Sequence, residues 1–545
     1  KVLFACHRAR PPGSVTITLD ATHLAAAVLL VLASLGTPLL LDAMKRASDD
    51  DGGAAAAAAA GPLVNGRLPG GVTPSRYDVR LEPDFSTFKF AGDVRIAVRV
   101  ATPTTVLALH ALDIDIGDVT YTPAGGGAAV TASAGAPHKP SETVVLTFAS
   151  QLGAGDGELR ITYTGELNDK MAGFYRSKVG ADEYMAVTQF EPTDARRALP
   201  CWDEPAVKAK FRVTLVVDEH LTALNNMPAE SETHDAAAKK RTFVFGETPV
   251  MSTYLLAFVV GRFDHVAATA GKDGRVAMRV YTAPGKREQG AFALDVAVRV
   301  LNYYIDYFGV DYPLPKSDMI AIPDFSAGAM ENWGLITYRE TALLIDGAKS
   351  SVAARQRVAY VVAHELAHQW FGNLVTMEWW KQLWLNEGFA TYVGQAAVDH
   401  LFPEWSMWTA FVADYANRAL GDDALESSHA IEVEVETSAQ VNEIFDAISY
   451  CKGASVIRMI AEFVGDAAMR KGLNAYLVKH AYANAVTEDL WAALGAASGK
   501  DVAGFMDKWV KVVGYPVVSV ARTGDGRASL SVQQARFLAS GADGG

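Results

Sequence analysis

Cysteine is nearly absent from this chain of 545 residues, with only Cys6, Cys201 and Cys451. Residues so far apart form no disulfide framework and no zinc-knuckle spacing. None is set up as an evident nucleophile, so buried or idle thiols of a reducing compartment are expected. Positive charge is also short. Lys and Arg number 49 against 62 Asp and Glu, a formal net charge of −13. No Lys/Arg run interleaves with aromatics, so nucleic acid is excluded as a partner. An acidic surface suits a soluble protein and would also suit cationic peptides. Repeats of solenoid period are missing. Long apolar runs are missing too, except at residues 24–41.

That run is interrupted by Ser34, Gly36, Thr37 and Pro38. It sits at the lower limit for a membrane span. Lys1, Arg8 and Arg10 precede it and Lys45 and Arg46 follow, so the charge bias that would orient an anchor is weak. A cleaved signal peptide fits less well, because the apolar part is long and no small-x-small site follows closely. A membrane anchor and a chance apolar stretch both stay open. Location is therefore either cytoplasmic or membrane-associated through residues 24–41. Asp49-Asp50-Asp51-Gly52-Gly53 and the alanines 54–60 read as a linker.

What remains is ordinary globular composition, 50% hydrophobic and 20% charged, on a chain long enough for several domains. From about Val72 to Phe263 the pattern has a period of two. Val94, Ile96, Val98 and Val100 alternate with Arg95, Ala97 and Arg99, and Leu159, Ile161 and Tyr163 with Arg160 and Thr162. Phe211 to Val217 and Thr253 to Val260 are further β-rich runs. Val276 to Tyr281, Met319 to Ile322 and Leu335 to Tyr338 read as strands, and Ala291 to Phe308 as a helix. Helices dominate from Val352 to about Val513, one of them starting at Thr487. After Gly514-Tyr515-Pro516, strands return at Val517–Ala521 and Ala528–Val532. The fold class is α+β and multidomain, a β-rich part followed by a mainly helical one.

His364, Glu365 and His368 lie in Val362-Ala363-His364-Glu365-Leu366-Ala367-His368. On a helix, i and i+4 share a face, so both imidazoles reach one metal ion, and Glu365 is placed to take a proton from its water. The pentapeptide alone arises by chance in roughly one chain of this size in a hundred. Its context strengthens it. Arg355 to Val362 reads as a helix with Val358, Val361 and Val362 packing, and Gly372-Asn373 gives a stop signal. Glu387, on a second apolar segment, supplies a third ligand and leaves one coordination position open. That marks a catalytic rather than a structural zinc.

Gly328-Ala329-Met330-Glu331-Asn332 precedes this helix. Residues 167–177 (Leu-Asn-Asp-Lys-Met-Ala-Gly-Phe-Tyr-Arg-Ser), 188–197 and 445–455 complete a set that resembles the gluzincin zinc aminopeptidases. Within that family the chain is most similar to the puromycin-sensitive type. The resemblance implies a saddle-shaped β-domain at 66–265 and a thermolysin-like catalytic domain at 266–513, after an apolar segment and linker at 1–65. Residues 514–545 would open a β-sandwich, and the helical domain that closes the cavity in the family would be absent.

The resemblance also implies one zinc ion on His364, His368 and Glu387, with Glu365 as general base on a zinc-activated water. It assigns the oxyanion to Tyr450, which the residues alone would make a core tyrosine. Peptides with a free N-terminus would be the substrates. Glu331, with Glu191 and Gln189, would hold the amine beside the loop residues Gly328, Ala329, Met330 and Asn332. Met330 and Phe190 would help line the first side-chain pocket. Lys381-Gln382, Leu199 and Ala430 depart from the family pattern. None removes a ligand, but Gln382 weakens the support expected around the metal. A catalytically impaired scaffold on the same fold is the competing reading, since the closing domain would be missing. A thermolysin-type endopeptidase has no use for Gly-Ala-Met-Glu-Asn, and the epoxide-hydrolysing branch is a minor alternative.

Overall fold

The computed structural model describes residues 15–18, 63, 66–523 and 529–541. The apolar run 24–41 and the linker 49–60 lie outside the described residues. Among those described, no helix is long and apolar enough to cross a membrane.

The period-two pattern becomes a ten-stranded sheet. At its centre Val72–Asp84, Lys89–Val100 and Gly155–Glu166 pair antiparallel. Val94, Ile96, Val98 and Val100 are buried, while Arg95 and Arg99 face solvent. Val94 lies opposite Ile161 and Ile96 opposite Leu159. A one-residue slip would turn both apolar rows outward, and that fixes the register.

A second sheet, of four strands, has the order Thr222–Asn225, Phe258–Gly261, Tyr184–Gln189, Gly173–Lys178. The β-rich run at Thr253 to Val260 is only partly strand. Thr253–Leu255 forms a 3-10 turn, because Asn226 takes up the carbonyls of Leu255 and Trp333 instead of a ladder partner. This sheet abuts the helical part. Tyr175 donates to the Asp324 carbonyl at 2.9 Å and Ser177 to its carboxylate at 3.1 Å. The end of Tyr184–Gln189 is thereby held over the metal-signature helix.

A third sheet runs Asp264–Ala270, Val276–Thr282, Lys316–Ile322, Leu335–Arg339, Ala329–Met330. Its interior pairings are parallel, and every residue of Lys316–Ile322 is buried, as a strand covered on both faces requires. The predicted helix Ala291–Phe308 forms with those bounds and ends on Gly309 at φ 63°. Tyr304 on it donates to the Ala363 carbonyl at 2.8 Å. Helices Val352–Ala367 and Trp384–Leu401 follow, then shorter ones to Lys511. Pro516–Thr523 and Ser529–Arg536 close the described chain as an antiparallel hairpin. Cys201 and Cys451 are both free and buried, as expected of idle thiols.

One buried ion cluster joins the two parts. Arg196, 4% exposed, bonds Asp203 at 2.9 Å and Glu142 at 2.8 Å, and Glu142 accepts from Ser438 at 2.6 Å. Removing one partner of a buried pair strands the other charge. Asp203→Ala is therefore expected to cost about 3 kcal/mol. Denaturant unfolding checks this; a loss within ~0.5 kcal/mol, the surface-substitution range, would contradict it.

Candidate active site

The helix Val352–Ala367 starts on Ser351, whose Oγ accepts from the Ala354 amide at 3.1 Å. Val358, Val361 and Val362 are buried against the core, which points the last turn inward. Trp384–Leu401 crosses it closely because Gly394 has no side chain. A Cβ there would lie 3.2 Å from the His364 backbone nitrogen. Gly388 does the same toward Gly453, where an added Cβ would meet backbone at 3.1 Å. These two close approaches bring His364, Glu387 and the Tyr450 segment together.

The Nε2 atoms of His364 and His368 are 3.1 Å apart, and each lies 3.3 Å from Glu387 Oε2. All three residues are buried. His368 Nδ1 faces the Phe371 carbonyl at 3.0 Å. Donating there leaves Nε2 free as a ligand atom. Beside this triad, oxygens of Glu191, Glu331 and Glu387 lie within 4.8 Å of one another.

The charge balance tests whether a cation belongs here. Glu191 Oε1, Glu331 Oε1, Glu365 Oε2 and Glu387 Oε2 are all buried without a hydrogen-bond partner. Buried carboxylates stay ionised only beside positive charge, and otherwise take up a proton. Two imidazoles and one carboxylate around one point, beside an open cleft, fit a zinc-type cation with a free position.

The acid–base groups respond to the same crowding. Burial, then Glu331, Glu387 and Glu365 as neighbours, decides the directions. Glu365 is pushed well above the usual carboxyl range, mainly by burial and then by Glu331 and Glu387, with His368 opposing. Glu331 rises chiefly through burial, and Glu191 through burial and then Glu331. Burial opposes the charged form of Glu387, yet His368 and His364, each with Nε2 at 3.3 Å from its Oε2, lower it to about 2. Burial lowers His364. The same burial penalty acts on His368, but Glu331 and Glu387 override it and raise this imidazole well above its ordinary value. Tyr450 is raised by burial, then by Glu387, Glu191 and Glu331, so its hydroxyl keeps its proton and can donate.

A cleft of about 380 Å³ holds these groups. Gln189, Glu191, Ala329, Glu331, His364, Glu365, His368, Glu387 and Tyr450 all line it. The Tyr450 ring stacks on His364 at 6.1 Å and 13°. Other residues named from sequence face elsewhere. Met330 is 1% exposed in the core, and Asn332 donates to Thr337 at 3.1 Å. Strand alternation explains the first of these. Ala329 lines the cleft and its strand neighbour Met330 faces away, while Glu331, just past the strand, returns to the cleft. Gly328 contributes its carbonyl to Arg339 N at 2.9 Å. Phe190 is wholly buried and packs edge-on against Phe258 at 5.9 Å. Met330 and Phe190, expected to help line the first side-chain pocket, are both buried in the core. Gln382 is buried with Oε1 unpaired.

Sequence reasoning missed several cleft residues. Asn442, Phe445, Lys170, Met171 and Asp194 also line the cleft. Lys170 and Met171 do lie in a stretch that carried the resemblance. Asp194 and Phe445 lie in two others, 188–197 and 445–455, whereas Asn442 lies outside all of them.

Known proteins show the same order of parts. The Peptidase M1 N-terminal domain matches residues 73–255 and the Peptidase family M1 domain matches 292–509. Aminopeptidase M1 of Arabidopsis thaliana is 53% identical over 483 residues, 88% of this chain and 54% of that protein. Aminopeptidase 2, mitochondrial, of Saccharomyces cerevisiae is 47% identical over 87% of this chain and 49% of its own length. Puromycin-sensitive aminopeptidase of Caenorhabditis elegans is 45% identical over 88% and 50%. The chain spans about half the length of the curated relatives it matches.

Proposed function

This chain belongs to peptidase family M1, and on that premise we propose that it is a zinc aminopeptidase that removes single residues from peptides with a free N-terminus. One observation carries this reading. A metal-type triad and a carboxylate cluster share Glu387, so a cation site adjoins an amine site in one cleft.

His364, His368 and Glu387 would hold zinc, which when bound supplies a Lewis acid that acidifies water and polarises a carbonyl. Glu365, its Oε2 unpaired, takes the proton of the attacking water and returns it to the leaving amine. Its raised pKa suits a group that must both accept and give back that proton. The protonated Tyr450 hydroxyl donates to the oxyanion as it develops. Glu331 and Glu191 accept the N–H groups of the substrate ammonium, and the unpaired Gln189 Oε1 adds a third acceptor. An ammonium relieves those buried oxygens, whereas a blocked terminus leaves them unpaired.

Zinc dependence is the direct test. Chelation should abolish hydrolysis of aminoacyl arylamides, and one equivalent of zinc per chain should restore it. The sign of the pH effect follows from His368. Its folded pKa lies well above 6.5, so below that raised value the metal-free site holds a proton that zinc must expel. Apparent affinity should therefore fall by up to about tenfold per pH unit as pH drops. Competition with a chelator between about pH 6 and 8 measures this. A flat profile would contradict it.

A further inference from the structure

Gln369 and Asn373 stand just past the second histidine and are wholly buried. Both donate to one atom. The Glu331 carbonyl oxygen receives Gln369 Nε2 at 3.2 Å and Asn373 Nδ2 at 2.9 Å. Gln369 Nε2 also donates to the Glu365 carbonyl at 3.0 Å. One side-chain amide thus ties the backbone of the amine-side glutamate to that of the base.

The other ends of these amides are informative. Gln369 Oε1 and Asn373 Oδ1 are buried without a partner. Unpaired buried acceptors are costly, and flipping either amide would set oxygen against oxygen. Fold stability alone would favour apolar side chains here. The Glu331 carboxylate has no such tether. Its Oε1 lacks a hydrogen-bond partner, and the nearest ring nitrogen, His368 Nδ1, is 3.6 Å away. Its reach into the cleft is therefore set through its own backbone. The loop beyond is clamped likewise, Asn226 holding the Trp333 carbonyl at 2.9 Å and Lys316 that of Gly334 at 2.6 Å.

We infer that Gln369 and Asn373 are positioning residues that fix the span between the amine anchor and the base, and so the register at which a peptide is cut. This rests on the reading of Glu331 as amine anchor. They act through Glu331 and touch no substrate atom.

The test uses the full chain loaded with zinc. Asn373→Asp keeps the volume and sets an oxygen against the Glu331 carbonyl; Gln369→Met removes the donor and keeps the length. Each should raise KM for a free-amine arylamide by about tenfold, with kcat changing less. Each should also shrink the preference for free over N-acetylated substrate, with zinc content unchanged. In a Glu331→Gln background, adding Asn373→Asp should change KM by less than about twofold, because the two act as one unit. Multiplicative effects, an unchanged KM, or loss of zinc would overturn the inference. If Glu331→Gln itself leaves KM for free amines unchanged, the anchor reading fails and this inference with it. If Glu331→Gln raises KM and Asn373→Asp does not, only the positioning role fails.

Discussion

Glu365→Gln is expected to retain one zinc per chain and to lose hydrolysis by about 10²–10⁴ in kcat, the range of general acid–base catalysis. Glu365 stands outside the group of His364, His368 and Glu387 whose ligand atoms converge. Its Oε2 is buried, unpaired and part of the cleft wall. Glutamine fills the same volume and keeps the backbone carbonyl that Gln369 reads, but it cannot take a proton. KM should shift little, because the change touches an interaction made only on the way to the transition state. Metal analysis and aminoacyl-arylamide turnover on the same sample decide it. Unchanged turnover would remove Glu365 from the mechanism, and loss of zinc would mean that it supports the metal instead.

Tyr450→Phe should lower kcat by about 10²–10³, the scale of one lost oxyanion donor, with KM within about twofold of the parent. Tyr450 is half-buried at the cleft wall, and phenylalanine can keep its stack on His364. The variant therefore removes a hydroxyl without removing packing. A core role predicts the reverse pattern, a fall in stability with kcat intact. A rise in KM alone would place the hydroxyl on the bound substrate.

The metal triad was legible in the sequence because two histidines four apart share a helix face whatever surrounds them. The Lys89–Val100 strand and the Ala291–Phe308 helix were legible for the same reason, as periodicity is local. Tyr450 was not legible from the residues alone. It sits in a π-helical turn, Ile448–Lys452, where the i+5 pattern turns its side chain toward the cleft. Thr253–Leu255 misled as strand, since tertiary contacts of Asn226 outweighed β propensity. Met330 and Phe190 were assigned to a pocket by resemblance, and their burial in the strand Ala329–Met330 and against Phe258 is set by tertiary packing. Gln369 and Asn373 were in plain view beside the histidines. Nothing local says that both reach the same carbonyl some forty residues away.

The central claim is that this cleft pairs a cation site with an amine site, and the comparison of one peptide with its N-acetylated form tests it most directly. With zinc bound, the free-amine peptide should lose its first residue. The acetylated peptide should react with kcat/KM lower on the order of 10⁴, the rejection expected when buried polar groups are left unpaired. Equal cleavage of the two, or cleavage at an internal bond of the acetylated peptide, would contradict the account.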